Sequence, residues 1–236
     1  MVISLSRRFV FVHLHKCAGT SVEVILSRLL TANDIIVGST PAGQRWEAYL
    51  RRTIGLGKHA TAAEIREFLG AERWEEFFCF AFVRAPLDRL FSFYRFSIDR
   101  TNRKPLSDDE RRRFETTGDL PDRSPYDVPS VRAAMASRSF SDFVLSPDSA
   151  VDRGTFPQWL SVCDYAGNRL VDMVCKVETI DQDWTIISQR FDIDEPLPTL
   201  NPSRSERAPA LTPEAAAFVA ERYARDYEMF GYPPGT

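Results

Sequence analysis

The chain has 236 residues, 44% hydrophobic and 27% charged, with 30 Lys plus Arg against 33 Asp plus Glu. This excludes a disordered chain, a collagen-like fibre and a small disulfide scaffold, and leaves one domain long enough to bury a sizeable core. The net charge of −3 argues against a general nucleic-acid binder, which is usually basic. Met1 to Val12 lacks the layout of a signal peptide, and no apolar run approaches the roughly 18 residues of a membrane span. Cys17, Cys79, Cys163 and Cys175 form no Cys-x-x-Cys pair, which argues against zinc. Cys79 and Cys175 lie in apolar runs and read as buried thiols of a reduced, cytoplasmic protein, although four cysteines leave pairing open.

In chain order, residues 8–13 form a short apolar run suited to a strand buried on both faces. A polar turn with Lys16 and Gly19 follows, then a helical period through Val22, Ile25, Leu26 and Leu29. Thr61 and Glu64 have the spacing of a capping box, with His59 just before it. Phe78 to Val83 repeats the buried-strand pattern, and Ala85-Pro86 opens a helix with Leu87, Leu90, Phe91 and Tyr94 on its apolar face. Residues 96–138 are expected to form a surface insertion or lid, because 99–130 is polar and punctuated by Pro105, Pro121, Pro125 and Pro129. A short helix over 139–145, a strand over 171–177, a helix opening at Thr179 and a final helix from Thr212 to about Phe230 complete the pattern. Strands alternating with helices predict an α/β fold with a mainly parallel sheet flanked by helices, as a single domain over 1–236.

Two loops carry chemistry. The first joins a strand to a helix through Lys16, Cys17, Ala18, Gly19, Thr20 and Ser21. Backbone N–H groups and the dipole of a helix N-terminus favour an anion there, and Lys16, Thr20 and Ser21 add donors. The alternative is a structural turn with a solvated lysine. It is not a Mg-ATP loop of the Gly-x-x-x-x-Gly-Lys-Ser/Thr type, since the lysine precedes the glycine and the first glycine is missing. The second loop leaves a strand end at Arg84, with Arg89 and Ser92 on the helix that follows; Arg89 reads equally as a surface or salt-bridge arginine. Two anion loops in one sheet suit a ligand with two separated phosphate groups.

Residues 11–21 (FVHLHKCAGTS) and 80–94 (FAFVRAPLDRLFSFY) closely resemble the two signature loops of sulfotransferases, nearest to the carbohydrate-type family of Golgi enzymes and bacterial relatives. Shorter likenesses at 58–61, 140–144, 156–158, 177–178, 197–201 and 227–232 extend this over nearly the whole chain. The resemblance implies a P-loop-kinase-like sulfotransferase fold and the donor 3′-phosphoadenosine 5′-phosphosulfate (PAPS). Lys16, Gly19, Thr20 and Ser21 match the loop that holds the 5′-phosphosulfate, and Arg84 and Ser92 the pair that grips the 3′-phosphate. His15 stands where the family usually has proline, and Cys17 replaces a small residue.

The expected reaction is in-line transfer of a sulfuryl group to a hydroxyl of a carbohydrate or glycolipid-like acceptor, with Lys16 stabilising the leaving oxygen and no metal required. A neutral histidine suits the general base. His13 ends a strand and reads as packed and hydrogen-bonded. His15 departs from the family pattern. His59 sits in a segment resembling a catalytic region of some relatives and is the chosen candidate, while Glu64 is explained by its cap. Trp46, Trp74, Trp159 and Trp184 read as core or rim, and the basic run 111–113 as a solvated helix face. Two alternatives remain: an ATP-dependent kinase or NTPase, and a non-catalytic nucleotide-binding protein of the same fold.

Overall fold

The computed structural model describes residues 1–198, 200 and 207–236. Its strands are β1 (Val2–Ser4), β2 (Phe9–Val12), β3 (Ile35–Ile36), β4 (Phe78–Val83) and β5 (Met173–Lys176). Its α-helices are α1 (Gly19–Leu26), α2 (Pro41–Ile54), α3 (Ala62–Leu69), α4 (Ala71–Trp74), α5 (Pro86–Arg103), α6 (Asp108–Thr117), α7 (Pro129–Ala136), α8 (Phe140–Leu145), α9 (Pro147–Val151), α10 (Trp159–Val162), α11 (Ile180–Phe191), α12 (Pro213–Arg222) and α13 (Ala224–Phe230). The chain divides into two compact units, Met1–Arg84 with Gln158–Ser205, and Ala85–Pro157 with Glu206–Thr236.

The first unit holds one five-stranded sheet of order β3-β1-β2-β4-β5. β2, β4 and β5 run parallel, as expected of buried apolar strands, and all four residues of β2 are buried. β1 and β3 were not foreseen. They extend the sheet in antiparallel fashion beyond β2, and with three and two residues they are too short to show a period. Alternation along the strands lines up Phe9, Phe11 and Phe80 on one face, where Phe191 of α11 lies 4.7 Å from Phe9. Cys79 and Cys175 are buried within strands, as expected, and among the described residues no cysteine forms a disulfide. Burial pushes the Cys79 thiol well up and the Cys175 thiol up to about 12, so both stay protonated.

The second unit is helical. Phe91 and Tyr94 of α5 pack on Phe140 and Phe143 of α8 at ring separations of 5.0 to 5.6 Å. Residues 104–135 are less exposed than their composition suggests. Tyr126 and Val131 are 1% and 0% exposed and form, with Leu106, a small core covered by Phe114, Leu120, Val128 and Met135. The final helix is two: α12 gives way to α13 at Tyr223, whose hydroxyl donates to the Thr155 carbonyl. Among the described residues no helix is long and apolar enough to cross a membrane.

Candidate active site

In the first unit the Lys16 loop and Arg84 leave the same end of the sheet. β2 and β4 are adjacent and parallel, with Val12 level with Ala81, so the chain exits both strands toward one edge. Adjacent strands lie about 4.8 Å apart, which brings the two loops side by side. Ligands of open parallel sheets sit at such strand ends.

The first loop is held in an unusual backbone shape. Lys16 and Ala18 adopt left-handed conformations, with φ of 63° and 56°. Non-glycine residues there cost about 1–2 kcal/mol each and cluster at functional sites. Ala18 is also the N-cap of α1 and provides no side-chain cap, whereas Thr40, Thr61, Ser107, Ser139 and Thr212 cap their helices with their own hydroxyls. The first N–H groups of α1 are therefore left to backbone turns or to a ligand. Ser21 already donates its N–H to the Ala18 carbonyl at 3.1 Å.

Gly19 is required by packing. A Cβ placed there would lie 2.1 Å from the His13 ring, far inside contact distance. His13 is buried, as expected, and its Nδ1 donates to the Glu23 carboxylate at 2.7 Å. Glu23 lies on α1, is fully buried, and also accepts from the Met1 nitrogen (2.9 Å) and the Ser39 N–H (3.1 Å), with Lys58 Nζ at 3.9 Å. Burial lowers the His13 pKa to about 4 against the opposing pull of Glu23. Burial acts to raise Glu23, but the His13 hydrogen bond and the neighbouring positive groups outweigh it and hold the carboxyl at about 2. Near pH 7 the pair is thus a carboxylate accepting from a neutral imidazole. Sequence reasoning missed Glu23; its one signal is a lone charge in the apolar stretch Val22–Leu26.

His59 joins this cluster. Its Nδ1 lies 2.8 Å from the His13 carbonyl oxygen. A carbonyl only accepts, so Nδ1 carries the hydrogen. Burial, the charges of His13 and His15 and that of Lys58 push the His59 pKa well below the ordinary histidine value, and the His13 carbonyl only partly offsets them. The ring is neutral near pH 7, and Nε2 bears a lone pair. His15 stacks on this ring at 3.5 Å, so the residue that replaces the usual proline is packed against the candidate base. Glu64 and Thr61 form the expected capping box just after it.

Gln158, noted in the sequence only as part of a family-like stretch, is 1% exposed. Its Oε1 accepts the Arg84 N–H at 2.9 Å, its Nε2 donates to the Arg84 carbonyl at 2.8 Å, and the Cys17 thiol donates to Oε1 at 3.3 Å. The carboxamide thus touches the backbone of one loop and a side chain of the other.

In the second unit Ser92 lies half-buried on α5. Arg89 is neither a surface nor a salt-bridge residue. It is 2% exposed, and its guanidinium donates to the carbonyls of Gly154 (2.8 Å) and Phe156 (2.6 Å) beneath the Tyr223 ring. Both terminal nitrogens are thus engaged by backbone carbonyls, while the buried Nε has no hydrogen-bond partner. Trp74 and Trp184 are buried, whereas Trp46 is 48% exposed. Glu178 is exposed, and Thr199 and Asn201 of the family-like stretch 197–201 lie outside the described residues.

One cavity, of about 590 Å³, is lined by Arg8, Phe78, Arg190 and Phe191 among others. It opens at the ends where β2 and β4 begin, so it is not the site. Among the described residues no group of three or more His, Cys, Asp and Glu is placed to hold a metal ion.

A mixed α/β sheet whose parallel strands bring a strained basic glycine loop and an arginine to one end suits a protein that handles an anionic group. The Sulfotransferase family profile matches residues 1–233, and the chain belongs to that family. No curated protein and no solved structure gives a significant match. Membership makes the chain a transferase of sulfuryl groups.

Proposed function

We propose that the chain transfers a sulfuryl group from PAPS to a hydroxyl of a carbohydrate or glycolipid-like acceptor. The observation that carries this reading is the shared exit of the Lys16 loop and Arg84 from adjacent parallel strands. One phosphorylated adenosine with phosphates at its 3′ and 5′ positions suits two neighbouring anion loops, and the uncapped, strained start of α1 fits an anion there. Lys16, Cys17, Ala18, Gly19, Thr20 and Ser21 hold the 5′ end through backbone N–H groups, the Lys16 ammonium and the hydroxyls. Arg84 and Ser92 hold the 3′-phosphate.

When bound, the donor supplies a sulfuryl group whose S–O bond to the 5′-phosphate breaks as an acceptor oxygen bonds to sulfur. Lys16 neutralises the negative charge that grows on the departing oxygen. His59 accepts the acceptor's hydroxyl proton at Nε2, the nitrogen its hydrogen bond to His13 leaves basic. Trp46 and Tyr49 support a sugar acceptor. They project from α2, 48% and 57% exposed with ring centroids 5.8 Å apart, as surface on which a pyranose ring stacks.

Calorimetry with adenosine 3′,5′-bisphosphate against ATP and magnesium tests the donor. Tight binding of the first and weak binding of the second is expected, and the reverse order means a kinase or NTPase. Lys16→Ala is expected to fold normally and lose most sulfuryl transfer; near-normal turnover removes Lys16 from its role.

A further inference from the structure

We infer that Gln158 is a positioning residue that fixes the span between the two anion loops, and that the preference for a doubly phosphorylated ligand depends on its carboxamide. The inference rests on the donor reading above. Arg84 stands where β4 ends, beyond the ladder that ties Val83 to Lys176. Its N–H and its carbonyl are taken up by the two ends of the Gln158 amide, at 2.9 and 2.8 Å. This pairing settles the amide orientation, since the Arg84 N–H requires the oxygen and its carbonyl requires the N–H₂. The oxygen has a second lone pair, and it receives the Cys17 thiol at 3.3 Å. The same thiol lies 3.4 Å from the His15 carbonyl, so it stays within the Lys16 loop. A side chain distant in sequence therefore bridges both loops at once, in a place with 1% exposure.

A ligand gripped at two points gains affinity from the second grip only if the two sites are held at the right separation. Replacing the amide by an apolar group of similar size frees the Arg84 backbone and cuts the link to Cys17, while the Lys16 loop keeps its own strand, helix and His13 contacts. A residue that merely supports the fold weakens all ligands together. One that sets the span weakens the two-point ligand and spares the one-point ligand.

The test uses the full chain with two probes, adenosine 3′,5′-bisphosphate, which reaches both loops, and 5′-AMP, which reaches only the first. In wild type the bisphosphate is expected to bind more tightly. In Gln158→Leu its affinity is expected to fall about tenfold or more, as the two hydrogen bonds to Arg84 and the one from Cys17 are lost, while that of 5′-AMP stays within about twofold. A parallel loss for both probes, or no loss for either, overturns the inference. A wild-type chain with no preference overturns the donor reading itself and the inference with it. If Gln158→Leu does not fold, hydrogen exchange on the wild type decides. The Arg84 N–H is expected to gain protection with the bisphosphate and not with 5′-AMP, and equal protection overturns the inference.

Discussion

His13 and Gly19 show how closely the glycine loop is fitted. The His13 ring occupies the space that any side chain at position 19 would need. Gly19→Ala must displace either the ring or the loop, and overpacking of this kind costs about 1–3 kcal/mol. The expected outcome is a folded protein with a lower urea midpoint and little affinity for adenosine 3′,5′-bisphosphate. Retained affinity would show that the loop gives way more easily than its geometry implies. For His59 the decisive quantity is kcat. Its Nδ1 is committed to the His13 carbonyl, so proton transfer depends on Nε2. With donor saturating, His59→Ala and His59→Gln are both expected to lower kcat by about 10²–10⁴-fold, the usual contribution of a positioned base. Unchanged kcat in both excludes His59 as the base.

At the level of elements, the capping box at Thr61 fixes the start of α3 just beyond His59. Thr61→Ala removes the acceptor for the Glu64 N–H and is expected to cost about 1 kcal/mol of stability, read as a shift in the denaturant midpoint without a change in slope. This cap, the buried runs that became β2 and β4, and the glycine loop between β2 and α1 were all legible in the sequence. Each is a local pattern, a continuous apolar run or a residue type at fixed spacing. What was hidden depends on distant partners. β1 and β3 exist only as additions to β2. Glu23 looks like an ordinary helix charge until Met1, Ser39 and Lys58 surround it. Arg89 has the side chain of an anion binder, and only the folded chain shows that backbone carbonyls use it. Gln158 carries no signal of its own, because a polar residue after a proline is as common in any surface turn.

For the whole molecule, the buried pair beneath the loop ties stability to pH. The His13 pKa is depressed to about 4 in the folded chain, below its ordinary 6.5. Between those values the unfolded chain binds a proton that the folded chain does not, so folding weakens as pH falls from 6.5 toward 4. Glu23, held at about 2 below its ordinary 4.5, adds a second loss as pH falls from 4.5 toward 2. Urea unfolding followed from pH 7 down to 4 is expected to show a steadily falling midpoint, and His13→Asn to flatten the upper part of that fall. His59, also held well below the ordinary histidine value, loses stability over the same range, so a flat profile in the wild type would mean that neither imidazole is held neutral in the folded state.

The chain leaves the first unit after Arg84 and re-enters it at Gln158, and those two residues are hydrogen-bonded neighbours. The intervening segment is therefore a closed excursion whose two feet stand side by side. Within the second unit the excursion also carries the surface on which the C-terminal helices rest, through Arg222 on the Ala150 carbonyl and Tyr223 on the Thr155 carbonyl, so a change in its length must keep those supports as well as its feet.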